Sequence, residues 1–172
     1  MAASSASPSL FDTTSLSSLS GARVALVTTE WNDAIVAALV EGCERVLSRF
    51  GARVTQHLKV PGAVEIPFAC RAVATRATDR PEAVIAFGAV IRGGTPHFDY
   101  VCQSVTAGLT TLNVTLDIPV IFGVLTLDTE AQAWERLGGA HGHKGEEAAL
   151  AALKMIALSR QFYLPPGRIS ES

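Results

Sequence analysis

The stretch ARVALVT at residues 22–28, followed closely by a long amphipathic segment over 33–50, decides the fold class. The first is a short, nearly continuous apolar run, the pattern of a strand covered on both faces. In the second, Ile35, Val36, Leu39, Val40, Cys43, Val46, Leu47 and Phe50 recur at three-and-four spacing, which lays one apolar stripe along a helix. Asn32 is placed to cap that helix and Gly51 to end it. Outward from this unit the alternation repeats. The pattern predicts a strand over 53–58, a helix over 65–77 and a third strand over 83–87 (AVIAF). A helix capped by Thr95, with Pro96 in its first turn, runs towards residue 116. A fourth strand covers 119–125 (PVIFGVL), and two helices at 129–137 and 144–162 close the chain. Strand and helix alternating at crossover length give an α/β fold, a three-layer α/β/α sandwich with a four-stranded parallel sheet. The expected domain covers residues 15–163, between a flexible Ser/Ala-rich tail at 1–14 and a C-terminal tail at 164–172.

Bulk properties narrow the function. Charged residues make up 17% of the 172 residues, against roughly 25% in soluble domains, which fits either surface buried against other subunits, the favoured reading, or a merely apolar monomer. A net charge of −2 leaves no basic footprint for nucleic acid. No apolar run reaches the roughly 18 residues of a membrane span. Cys43, Cys70 and Cys102 are odd in number and lack metal-ligand spacing, so neither a disulfide framework nor a metal site is implied, and a reducing cytoplasm is expected. Asp12 is the sole charge in residues 1–20, which match neither a secretory signal nor an Arg-rich transit peptide.

Sites in open parallel sheets lie beyond the carboxyl ends of the strands, which singles out four loops. In Thr29-Glu30-Trp31-Asn32, Trp31 either packs internally or stacks flat on a heteroaromatic ring. In Val60-Pro-Gly-Ala-Val-Glu-Ile-Pro67, the turn lets backbone approach a ligand beside Glu65, or it is an ordinary turn in which Glu65 favours the helix dipole. In 90–100 (VIRGGTPHFDY), two glycines allow a tight turn, and the free N–H groups of a new helix suit an anion. This is neither a GxGxxG nor a P-loop pattern, so a nucleotide is disfavoured. His97, in the first helical turn, is a candidate neutral acid–base group or an incidental residue. The fourth region runs from 121–126 (IFGVLT) through Arg136 to 141–145 (HGHKG). Arg136 and Lys144 are either phosphate-binding cations or solvated helix-end charges. His141 and His143 read as exposed loop residues rather than metal ligands. The residues alone thus reach a protein for a small phosphorylated molecule beside an aromatic ring, without a named reaction.

Taken together, VPGAVEIP (60–67), GAVIRGGTPHFD (88–99), FGVLT (122–126), QAWER (132–136) and KGEEAA (144–149), in this order, resemble the 6,7-dimethyl-8-ribityllumazine synthases over residues 21–160. The resemblance implies condensation of 5-amino-6-(D-ribitylamino)uracil with 3,4-dihydroxybutan-2-one 4-phosphate in riboflavin biosynthesis, with neither metal nor organic cofactor. By the same resemblance Trp31, where the family usually carries Phe, stacks on the pyrimidine. Ala63, Val64 and Glu65 meet the ribityl chain, and Ala89, Val90 and Ile91 flank the pyrimidine. Gly94, Thr95 and Arg136 take the phosphate, and His97 is the acid–base group. Phe122 is contributed by a neighbouring subunit, with Lys144 close by. His143 replaces the Asn usual in the family. The resemblance also implies homopentamers with sites between adjacent subunits. A segment around 15–22 adds a strand to the neighbouring subunit's sheet. Twelve pentamers close into an icosahedral shell, favoured here by the short link at 137–144, with riboflavin synthase as a partner. Two rivals stand beside the enzyme. A lumazine- or flavin-binding paralogue without turnover leaves Thr95, His97 and Arg136 unexplained. A shell-forming structural role is compatible with catalysis.

Overall fold

A computed structural model describes residues 12–16 and 19–163. Its first unit is β1 (Arg23–Thr29), α1 (Asp33–Arg49) and β2 (Arg53–Val60). Six of the seven β1 residues are buried, as a strand covered on both faces requires. A 3-10 turn (Ala63–Glu65), α2 (Ile66–Ala74), β3 (Ala83–Ile91), α3 (His97–Thr115) and β4 (Val120–Leu127) follow. The chain closes with α4 (Glu130–Trp134), a hairpin of β5 (Leu137–Gly139) and β6 (Gly142–His143), and α5 (Lys144–Tyr163). Four strands form one parallel sheet in the order β2-β1-β3-β4. Period-two alternation sorts their side chains between two cores. Val24, Leu26, Ile85 and Phe87 pack with α1 and α5, whereas Ala25, Val27, Val84 and Ala86 pack with α2 and α3. Each large side chain so buried contributes about 1.5–3 kcal/mol. The expected three-layer α/β/α sandwich is therefore present.

The order reverses between β1 and β3, because α1 carries the chain outward to β2 and α2 brings it back past β1. That switch point opens a crevice at the carboxyl ends of the two central strands. On one face α1 and α5 approach closely enough that a Cβ on Gly145 would lie 2.0 Å from the Leu39 carbonyl oxygen.

Several local expectations are corrected. Asn32 precedes α1 in the left-handed conformation (φ 58°), and its side chain does not cap the helix. Instead its Nδ2 donates to the Ala89 carbonyl at 2.7 Å, tying the β1–α1 loop to β3. Thr95 does not cap α3 either, since Pro96 holds that position and makes no side-chain bond. Gly51 does end α1, at φ 69°. The helix expected over 129–137 is only α4, because Gly138 turns the backbone to φ 107° and the hairpin begins. Within the single chain no strand forms around 15–22 among the described residues, and pairing of that segment with a neighbouring sheet is a matter between subunits. Thr14–Leu16 form a 3-10 turn, and Leu16 and Leu19 are fully buried in this chain's own core. Residues 1–11 and 164–172, where most of the expected tails fall, lie outside the described residues.

Candidate active site

At the switch point a cavity of about 530 Å³ is lined by Thr29, Trp31, Asn32, Pro61, Gly62, Ala63, Val64, Glu65, Ala89, Val90, Ile91, His97 and Val101. Eight of the sequence-predicted residues thus meet at one place: Trp31, Ala63–Glu65 (3-10 turn), Ala89, Val90, Ile91 and His97. The walls are held by two backbone bonds between the loops and one side-chain bond within the first. Glu30 N donates to Val60 O (2.9 Å), Trp31 N to Pro61 O (3.4 Å), and the Thr29 hydroxyl to Trp31 O (3.1 Å). Trp31 itself is 73% exposed. A backbone fixed on three sides with a large bare aromatic face is costly to leave in water and suited to a planar partner. Glu65 Oε2 accepts from Gly62 N at 2.9 Å, which closes the turn that presents Ala63 and Val64. Its carboxylate therefore serves the turn while lining the cavity.

From β3 the chain passes through an exposed link to α3. Arg92 N donates to Leu127 O (2.8 Å), the last rung before Gly93. Neither Gly93 nor Gly94 has a positive φ, contrary to the expectation of a glycine-dependent turn. A Cβ at either would meet nothing within 4 Å. Gly94 and Thr95 do not line the cavity; they lie in the link just before His97. His97 is exposed at the first position of α3 and faces the cavity with Val101.

Phe122 and Lys144 are elsewhere. They line a second cavity, of about 320 Å³, with Ile121, Val124, Leu125 and Glu147. Phe122 is 43% exposed on the edge strand β4. Lys144 opens α5, where the positive helix end disfavours a cation. Glu147, one turn on, offsets this with bonds of 2.9 and 2.7 Å to Nζ. Arg136 lines neither cavity; its Nη1 donates to Gln132 O at 2.8 Å. The consequence is electrostatic. The cavity beside Trp31 has no lysine or arginine in its lining, while Lys144 lines the second cavity and Arg136 meets it only through the backbone bond from Lys144 N to Arg136 O (2.8 Å).

Sequence reading missed four groups here. Asn32 hid behind its capping role. Glu147 was legible as an i,i+3 partner of Lys144. Arg92 stands over the Phe98 ring at 4.1 Å and binds Asp99 and Asp128, with the Asp128 bond raising its pKa above the ordinary arginine value. His143, expected to be exposed, lays its ring on α1 where Gly42 has no side chain: a Cβ there would lie 2.1 Å from the ring. Its Nδ1 is buried and unpartnered. His141 is half-buried, 3.8 Å from Glu135. Among the described residues no group of three or more His, Cys, Asp or Glu side chains is placed to hold a metal ion. Burial pushes the Cys43 and Cys70 thiols up to about 12, far from nucleophilic range.

The sequence model of the family described as 6,7-dimethyl-8-ribityllumazine synthase matches residues 21–160. Proteins bearing that name are similar along most of their length. That of Parabacteroides distasonis is 43% identical over 151 residues, covering 87% of this chain and 93% of the relative. That of Porphyromonas gingivalis is 48% identical over 142 residues, covering 80% and 86%. That of Kineococcus radiotolerans is 47% identical over 151 residues, covering 86% and 92%.

Proposed function

The chain belongs to the 6,7-dimethyl-8-ribityllumazine synthase family, and we propose that the cavity between Trp31 and His97 is where it carries out the family's condensation. The enzyme is a transferase of riboflavin biosynthesis. It joins 5-amino-6-(D-ribitylamino)uracil to 3,4-dihydroxybutan-2-one 4-phosphate and releases lumazine, inorganic phosphate and water. The observation that carries the placement is the convergence of a bare aromatic face, the exposed backbone of β3 and one histidine on a single cavity.

The chemistry follows from those parts. The pyrimidine stacks on Trp31 between Ala89, Val90 and Ile91, with its ribityl chain along Ala63, Val64 and Glu65. Its 5-amino group adds to the ketone, and water leaves to give an imine. Phosphate then departs as a proton is taken from the hydroxyl-bearing carbon. The resulting enol becomes a ketone, the ribityl-bearing nitrogen attacks it, and loss of water closes the ring. His97, at the cavity wall, is the group that moves these protons. Gly94 and Thr95 offer the phosphate their backbone at the start of α3. Holding the two substrates together supplies roughly 7–11 kcal/mol of the acceleration, so positioning dominates.

A phosphorylated substrate needs a cation that this cavity lacks. The reading is completed by a second copy whose Phe122, Arg136 and Lys144 close the cavity, in a homopentamer with sites between adjacent subunits. Support comes from the separation of the two clusters, from the low charge content, and from large apolar side chains left in water, such as Phe68 (82% exposed) and Val114 (78%). The tight β5–β6 hairpin leaves room for twelve pentamers to close into an icosahedral shell, with riboflavin synthase as the partner that consumes the product. Free thiols at Cys43, Cys70 and Cys102 fit a cytoplasmic location. No helix among the described residues is long and apolar enough to cross a membrane.

Incubation with both substrates tests the function directly: lumazine fluorescence is expected. Binding of the pyrimidine without product, by folded protein, overturns the enzyme in favour of a carrier. Light scattering tests the assembly, with a particle of shell mass expected and one of pentamer mass counting against the shell.

A further inference from the structure

We propose that Arg92 is a positioning residue for this reaction, because its guanidinium spans the bare link between β3 and His97 and joins it to the loop after β4. The proposal rests on the site reading above and names a group outside the cavity. Arg92 Nε donates to Asp128 Oδ1 at 2.8 Å, and Nη1 donates to Asp99 Oδ1 at 3.2 Å. The guanidinium carbon stands 4.1 Å from the centroid of the Phe98 ring. One planar side chain therefore holds the start of the link, the first turn of α3 and the loop after β4.

The link itself contributes little: Asp99 N donates to Pro96 O at 3.0 Å where α3 begins. Gly93 and Gly94 have no side chains, Pro96 has no N–H, and a Cβ at either glycine would meet nothing within 4 Å. The same chain of bonds continues towards Arg136. Asp128 N donates to Gln132 Oε1 at 2.8 Å, and Gln132 O accepts from Arg136 Nη1 at 2.8 Å. The side chains of Arg92, Asp99 and Asp128 are 45%, 53% and 65% exposed. Exposed ion pairs add little to stability, so the arrangement acts through geometry. Only arginine meets two carboxylates and a ring face at once; lysine is a point charge and cannot.

Arg92→Gln and Arg92→Lys test this. Both are expected to melt within about 2 °C of the parent. The KM for the phosphorylated ketone should rise about tenfold or more, as displaced reacting groups predict, and that for the pyrimidine should stay within about twofold. Lysine should rescue little despite keeping the charge. Asp99→Asn should give part of the effect, and combining it with Arg92→Gln should be less than additive. Amide hydrogen exchange over residues 93–99 should quicken in Arg92→Gln whether or not turnover is measured. An active parent with unchanged ketone KM and unchanged exchange in the variants overturns the proposal alone. Equal rises in both KM values, or a large loss of melting temperature, shows a merely structural arginine. A parent that makes no lumazine overturns the site reading, and exchange still decides whether Arg92 holds the link.

Discussion

Gly93 and Gly94 before α3, and Gly138, Gly139 and Gly142 in the hairpin before α5, with Gly145 in the first turn of α5, make two glycine-rich regions. Their glycines are present for opposite reasons. In the hairpin, Gly138 and Gly142 sit at φ 107° and 71°, a region that L side chains rarely adopt. A Cβ on Gly139 would come within 2.9 Å of the Glu135 backbone, and one on Gly145 within 2.0 Å of Leu39 O. The fold itself demands those glycines. The link before α3 has no such demand, since its glycines have ordinary backbone angles and open space around them. On the function proposed above, the bare backbone there serves an incoming phosphate.

The largest effect is expected at the end of the link before α3. His97→Ala should lower turnover by about 10²–10⁴-fold with no loss of fold, since the side chain is exposed. Complete inactivity of an assembled variant would mean that His97 does more than move protons. The hairpin and the start of α5 should respond in stability instead. Gly145→Ala must push α5 from α1 and should cost about 1–3 kcal/mol or more in denaturant unfolding; a variant as stable as its parent would contradict the close helix contact. Arg136→Ala should weaken the phosphorylated ketone by on the order of 1.5–3 kcal/mol and leave the pyrimidine unaffected. Isothermal titration with each substrate separates these outcomes, and equal weakening of both would remove Arg136 from the phosphate site. The smallest change in stability is expected for Gly94→Ala, within about 0.5 kcal/mol, together with a raised KM for the ketone. A Gly94→Ala variant that unfolds early would erase the distinction between the two regions.

The layers of the fold were legible because β1 and β3 are buried on both faces and read as unbroken apolar runs, while α1 carries a clean stripe. The hairpin was not, since strands of three and two residues are too short to show a period. Nor was the state of Asn32, where a residue type suited to capping instead reaches across to Ala89. The cavity residues Trp31 and Ala63–Glu65 (3-10 turn) were found through loops at strand ends, which topology brings together. Arg92 escaped because its partners Asp99 and Asp128 are 7 and 36 residues away, and only the closed sheet makes them neighbours. Leu16 and Leu19 were legible as apolar residues, but not as part of this chain's own core.

The division of the site between the cavity beside Trp31 and the cluster of Phe122, Arg136 and Lys144 is tested most directly by mixing two defective chains. His97→Ala and Arg136→Ala proteins, each assembled and each assayed at a ketone concentration below the parent KM, where both turn over slowly, are dissociated together at equal concentration and reassembled. If each site takes His97 from one copy and Arg136 from the next, random exchange around a ring leaves about a quarter of the sites intact. Lumazine formation should then return to about a quarter of the parent rate. No recovery, with subunit exchange verified by mass spectrometry, would mean that both residues act from the same chain.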